Sequence, residues 1–278
     1  MKALILIELY KLFKSNRTYL VFAIAILLMV IIDLGLYKDG DELFGYLLQP
    51  ISENFFIEGN MVNGYLISYL ALNTLWVHIP ILIIIVTTHI FSSEFELGTI
   101  KTLLTQPIER TELMVAKIVA MVCFVIIFML VVALSALLPA LVLFGFGDVI
   151  VFIDGIQFIQ QATYLGRYML AIFFSIISMV AFSSMAMFFA LYFRNTLSAI
   201  LISIGILIIS TLIQTFIFGF FSDWQPFLFT YHFAKWQLFF VDTIPVKTIV
   251  NAVIFLLGMI LFFVALSVMR FKKMQITE

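Results

Sequence analysis

Residues 168–221 read YMLAIFFSIISMVAFSSMAMFFALYF (168–193), then Arg194-Asn195-Thr196, then LSAILISIGILIISTLIQTFIFGFF (197–221). Neither long run contains an Asp, Glu, Lys or Arg. Each exceeds the about 20 apolar residues that an α-helix needs to cross a hydrocarbon layer of about 30 Å. The polar interruption between them has room only for a tight hairpin. The stretch therefore predicts two antiparallel helices spanning a bilayer.

Working outward, four more stretches carry the same signature: 19–35, 65–91, 113–144 and 248–269. Hydrophobic residues make up 64% of the 278 and charged residues 11%, with a mean hydropathy of +1.20. A soluble chain is about 45–50% apolar and about 25% charged, and no soluble core could enclose this excess. With lipid as the solvent, backbone polar groups must be satisfied within each crossing segment, which favours helices. The expectation is an all-α membrane protein, a single domain over 1–278 forming a bundle of six transmembrane helices.

The net charge of −1 gives no basis for a nucleic-acid partner. Cys123 is the sole cysteine, which excludes an intramolecular disulfide and a cysteine-rich metal cluster. Lys2, Lys11, Lys14 and Arg17 precede the first apolar run, but no A-x-A-like cleavage site follows it, so it reads as a retained helix. Lys and Arg favour the cytoplasmic ends of spans. With the N-terminus inside, only Lys38, Arg167, Lys235 and Lys247 of the 15 fall on the outer side. That distribution predicts a multi-pass protein of the cell membrane with both termini cytoplasmic.

Two flanking segments have their own patterns. Ile5, Leu9, Leu12 and Phe13 recur at helical spacing opposite Glu8, Lys11 and Ser15, as in an interfacial helix lying along the inner surface. An extension of the first span is the alternative. Residues 224–240 interleave Trp224, Phe227, Phe229, Tyr231, Phe233, Trp236, Phe239 and Phe240 with polar residues. Trp and Tyr gather at headgroup level, so a re-entrant or interfacial aromatic segment is expected before span six.

The densest polar stretch on the predicted inner side is 91–112, between spans two and three. Ile100, Leu103 and Leu104 fall on one face of a short helix, with Lys101 and Thr105 turned elsewhere. Pro107 breaks the chain, and Glu109 and Glu112 complement the positive end of the third span. The loop reads as a stiff bracket between two long helices.

On Glu94, Gly98, Thr99, Leu103, Leu104, Pro107, Arg110 and Lys117, in that order and spacing, the sequence resembles the ABC transporter type 2 permease family. That resemblance implies a coupling helix docking on a separate ATP-binding cassette ATPase subunit, through Glu94, Glu96, Gly98, Thr99, Lys101, Pro107 and Arg110. ATP and Mg would be bound by that partner, since this chain has no G-x-x-x-x-G-K-[ST] loop and is expected to have neither cofactor nor enzymatic activity of its own. It further implies a dimer with a second permease copy or a related permease. The translocation pathway would run along spans two and five, with Asn73, His78, Ser210 and Gln214 as candidate residues. Asn73 and Gln214 equally suit hydrogen bonds to a neighbouring helix, and His78 could serve a carbonyl freed by Pro80.

Two other classes compete with an exporter permease. A polytopic membrane enzyme would need a catalytic constellation, yet no H-E-x-x-H, no G-x-S-x-G and no paired carboxylates within a span occur. A secondary carrier often shows broken helices in matching halves, whereas Pro80 and Pro139 have no counterparts in spans five and six. The histidines are too scattered for a metal site. Asp33 reads as an interfacial carboxylate reaching for water, or as a cation ligand.

Overall fold

The computed structural model describes residues 1–52, 62–105, 108–153, 155–216 and 222–274. It is helical almost throughout, and six of its helices are long and apolar enough to cross a membrane: Asn16–Gly40, His78–Glu96, Arg110–Phe144, Gln161–Phe193, Thr196–Thr215 and Val246–Lys273. These are the features of a multi-pass membrane protein.

The first helix, α1 (Lys2–Lys14), is separate from the first span. Ser15 takes an extended conformation between them, and the Thr18 hydroxyl donates to the Leu12 carbonyl at 2.7 Å across the elbow. Helix α2 (Asn16–Ser52) then runs well past the expected end at 35. Apolarity stops there, but the backbone ladder does not need apolar side chains and continues.

The second predicted span, 65–91, is divided into α3 (Gly64–Leu75) and α4 (His78–Glu96). Pro80 is the cause: it has no N–H for the Trp76 carbonyl, and its ring crowds that same group. Asn63 caps α3, its side chain accepting from Tyr65 and Leu66 N–H at 3.1 Å each and donating to the Asp148 carbonyl at 2.7 Å. Beside it, Gly64 sits against α6 (Arg110–Phe144), so closely that a Cβ there would lie 2.6 Å from the Ala140 carbonyl oxygen.

Between α4 and α6 lies the five-residue α5 (Ile100–Leu104). After α6 comes an antiparallel hairpin, β1 (Val149–Phe152) with β2 (Ile156–Ile159), in the register Val149 to Ile159. These strands qualify the all-α expectation. Helix α7 (Gln161–Phe193) is the central post, packed by α4, α6, α8 (Thr196–Phe216) and α10 (Val246–Lys273). Small residues permit that approach: Ser175, Ser178, Ser183 and Ser184 are fully enclosed, and three of the four return their hydroxyls to carbonyls of their own helix.

Helices α7 and α8 meet at the expected hairpin. Arg194 closes α7 with φ of 55°, and the Asn195 side chain accepts from Ser198 N–H at 2.9 Å to cap α8. The expected end of span five, 217–221, lies outside the described residues.

The aromatic segment folds as successive short turns, Ser222–Phe227, α9 (Phe229–Phe233) and Ala234–Phe240. Trp236 and Phe240 are enclosed against Tyr69, Trp76 and Tyr164. Arg167 of α7 holds the end of this segment, donating to the carbonyls of Phe239 at 3.2 Å, Val241, and Asp242 at 3.0 Å.

Candidate functional site

The last turn of α4 gathers more inter-helix polar contacts than its length would lead one to expect. Glu94 points inward and is only 8% exposed. Its Oε1 accepts from Lys11 Nζ at 2.9 Å, and its Oε2 lies 3.0 Å from Lys117 Nζ. Glu8 mirrors it, with Oε1 accepting from Lys11 at 2.8 Å and Oε2 from Lys117 at 3.0 Å. Two carboxylates and two ammonium groups thus alternate in a closed ring drawn from α1, α4 and α6. A further proton of Lys117 goes to the Ile90 carbonyl at 2.9 Å, so this ammonium has three oxygen neighbours.

Glu8 and Lys117 are 5% and 3% exposed, so the ring lies out of water apart from the Lys11 edge. Removing two pairs of charges from water is costly, and only close alternation of sign offsets the cost. Burial by itself would lower the Lys11 pKa, but its bonds to Glu8 and Glu94 outweigh that and raise it above 10.5. What the Lys11 ammonium adds to stability is therefore complete below the ordinary lysine value. It is lost only as pH rises through the raised one.

The other face of the same turn reaches the α7–α8 hairpin. The Ser92 hydroxyl is 2.6 Å from that of Thr196, and the Glu96 carboxylate accepts from the Thr196 backbone N–H at the start of α8. There the negative charge also complements the helix N-terminus. Phe95 lies beneath the Arg194 guanidinium, 5.9 Å from ring centre to Cζ. Residues 92–96 consequently bind α4 to α1, α6, α7 and α8 at once.

Past this knot the chain turns outward. Gly98 takes φ of +69°, the left-handed position that ends a helix. Leu97 is 74% exposed, and Gly98, Thr99 and Lys101 are exposed beside it. Ile100 turns in, 4% exposed, and anchors α5. Of the predicted coupling set, Glu94 and Glu96 are thus engaged within the bundle while Gly98, Thr99 and Lys101 form an exposed turn. Pro107 lies outside the described residues. Arg110 is committed elsewhere: it donates to the carbonyls of Lys272 at 3.1 Å and Met274 at 2.8 Å, closing the C-terminal end of α10.

The predicted pathway residues are not gathered at one place. Asn73 is exposed at the end of α3, where its side-chain oxygen accepts from Gln237 at 2.7 Å. Ser210 is buried and pairs with the Thr230 hydroxyl at 2.7 Å. Both therefore tie the aromatic segment down. His78 is exposed in the first turn of α4, and Gln214 is half-buried on α8. Among the described residues no group of three or more His, Cys, Asp or Glu side chains could hold a metal ion.

Sequence reasoning did not find the ring partners Glu8 and Lys11 or the enclosure of Asp33. Asp33 is fully buried in α2, and neither carboxylate oxygen has a hydrogen-bond partner among the described residues. The expectation that its carboxylate reaches water fails, because the side chain is enclosed by its neighbours in the bundle. The available signal was a lone carboxylate within an apolar run, since ionisable groups at membrane depth are functional candidates by default.

Comparison with known proteins sets the affiliation. The chain is 27% identical over 151 residues to the uncharacterized protein YhcI of Bacillus subtilis (strain 168), an alignment covering 52% of this chain and 47% of YhcI. The chain thus spans about half the length of the curated relative it matches. The family described as "Protein of unknown function (DUF2705)" matches residues 26–277. This overturns the resemblance to the ABC transporter type 2 permeases. Its motif consists of common residues, and here several of them meet needs of any short elbow between long helices: Gly98 ends α4, Glu94 and Lys117 neutralise each other, and Arg110 closes α10. The chain belongs to the DUF2705 family.

Proposed function

We propose that this chain is a membrane-embedded transport subunit, a permease of an exporter driven by a separate ATP-hydrolysing subunit that binds ATP and Mg. The observation that carries this reading is the knot at residues 92–96 with the exposed turn beyond it. Force applied at Leu97–Lys101 passes into α4, and the ion ring and the Thr196 contacts distribute it to α1, α6 and α8. A loop without those ties would absorb the push. The distribution of Lys and Arg supports a cytoplasmic position for this end, where ATP is available. A second copy or a related permease would complete the pathway, with His78 and Gln214 as the polar groups left to line it, since Asn73 and Ser210 are engaged with Gln237 and Thr230.

Affinity purification of the full chain from its native membrane tests this. An ATPase subunit should co-purify, and its turnover should change when the two are reconstituted in a bilayer. Recovery of the chain without an ATPase, or an unaltered turnover, would reject the proposal.

A secondary carrier is the second reading, favoured by the enclosed Asp33, which has no hydrogen-bond partner among the described residues, and by the interruption between α3 and α4. It requires ion-gradient-driven flux in proteoliposomes containing this chain alone.

A further inference from the structure

Asp33 stands on α2 about 24 Å beyond Arg17 at its foot, at 1.5 Å per residue. That depth falls within the about 30 Å of hydrocarbon that a span crosses. The side chain is 0% exposed, and neither oxygen meets a donor among the described residues. All 15 Lys and Arg residues of the chain are among the described ones, and none forms an ion pair with it.

The elements packed against α2 are α1, α3, α4 and α6. Of these, α3 offers Tyr65 and Tyr69 but no charge, and α6 has no charged residue beyond Lys117. The charges of α1 and α4 stand at the ring end, where His89 is occupied by Arg17, and His78 is exposed. From α7 only Tyr168 is acted on by the Asp33 charge, and its hydroxyl gives its proton to the Ala133 carbonyl at 2.8 Å, leaving none for Asp33. Lys38, five residues further along α2, is exposed.

An ionised carboxylate enclosed without donor or counter-charge is very costly. The described residues supply nothing that neutralises it, so the neutralising cation comes from outside the chain. A metal ion calls for several more oxygen ligands, and among the described residues Asp33 belongs to no group of three His, Cys, Asp or Glu side chains that could provide them. A proton requires a single oxygen. We propose that Asp33 is a proton-binding site, its carboxyl group carrying a proton taken from water and releasing it only when α2 shifts enough to wet the site. One O–H bond forms on the carboxylate for each proton taken up. The site stands under either driver of transport, and for the carrier reading it names the proton as the coupling ion.

Infrared spectroscopy of the full chain in a bilayer tests this. Exposed aspartates are ionised at neutral pH, so a protonated-acid carbonyl band there belongs to an enclosed carboxyl. The wild type should show that band, and it should shift only slowly on transfer to deuterium oxide. Asp33→Asn should abolish it, and Asp33→Leu decides the matter should Asp33→Asn not fold. No such band at neutral pH, a band that persists in both variants, or a carboxylate band that depends on added sodium or potassium would overturn the assignment. The band together with no gradient-driven flux in proteoliposomes upholds the site and rejects the carrier reading.

Discussion

Glu8 and Lys117 stand 109 positions apart in the chain and 3.0 Å apart in space, both enclosed where α1 crosses the foot of α6. Removing one member of such a pair leaves the other charge buried without compensation, at a cost of about 3–5 kcal/mol. Lys117→Met should lower the melting temperature accordingly. The double variant Lys117→Met with Glu8→Gln should recover much of the loss, since only the Lys11–Glu94 pair remains to be satisfied. Additive losses in a double-mutant cycle would show that the two are not coupled.

Leu97 and Lys101 lie on the exposed turn and take no part in the ring. Leu97→Asp and Lys101→Glu should leave thermal stability within about 0.5 kcal/mol while weakening association with the proposed ATPase subunit by at least about tenfold, or 1.4 kcal/mol. Binding measured by surface capture, alongside a melting curve, separates the two effects.

Two glycines should respond oppositely to alanine. At Gly64 the added carbon meets the α6 backbone, which cannot yield as a side chain can, and a loss of about 1–3 kcal/mol is expected. At Gly166, exposed on α7 with open space around it, alanine should stabilise by about 0.8–1 kcal/mol through helix propensity. Melting of the two variants in parallel checks both signs.

Asp33→Leu should stabilise the protein, by about 1–3 kcal/mol, because it removes a buried group whose oxygens are unsatisfied among the described residues. A fall in melting temperature would reveal a partner that Asp33 serves.

The crossings were legible in the sequence because a bilayer demands long apolar runs, and such runs are visible without knowing what touches what. The Arg194-Asn195 hairpin was legible for the same reason. The ion ring was not, since its pairs join residues 83 and 109 positions apart, and one sequence carries no record of which charges meet. A local signal did exist for Lys117, a lone cation just inside an apolar run that had to find an anion. The division at Trp76–Val77 was foreshadowed by Pro80, but hydropathy overruled it in the reading of span two. The β-hairpin was readable too: Val149–Phe152 is β-branched and aromatic, and Asp154-Gly155 is a turn pair. Surrounding apolarity hid it among membrane-adjacent loops. At Glu94 the residue was found but its direction was not, because helical phase at the end of a span depends on which neighbours crowd it.

The length of α2 has a consequence of its own. Its 37 residues rise about 55 Å at 1.5 Å each, against about 30 Å of hydrocarbon. Even at an ordinary inclination of about 20°, an unbroken rod of about 22 Å must stand clear of the hydrocarbon. Such a mast works like an oar in its rowlock: a small rotation at the immersed end sweeps a wide arc at the blade. A spin label or fluorophore near its tip would register small movements of the bundle as large displacements.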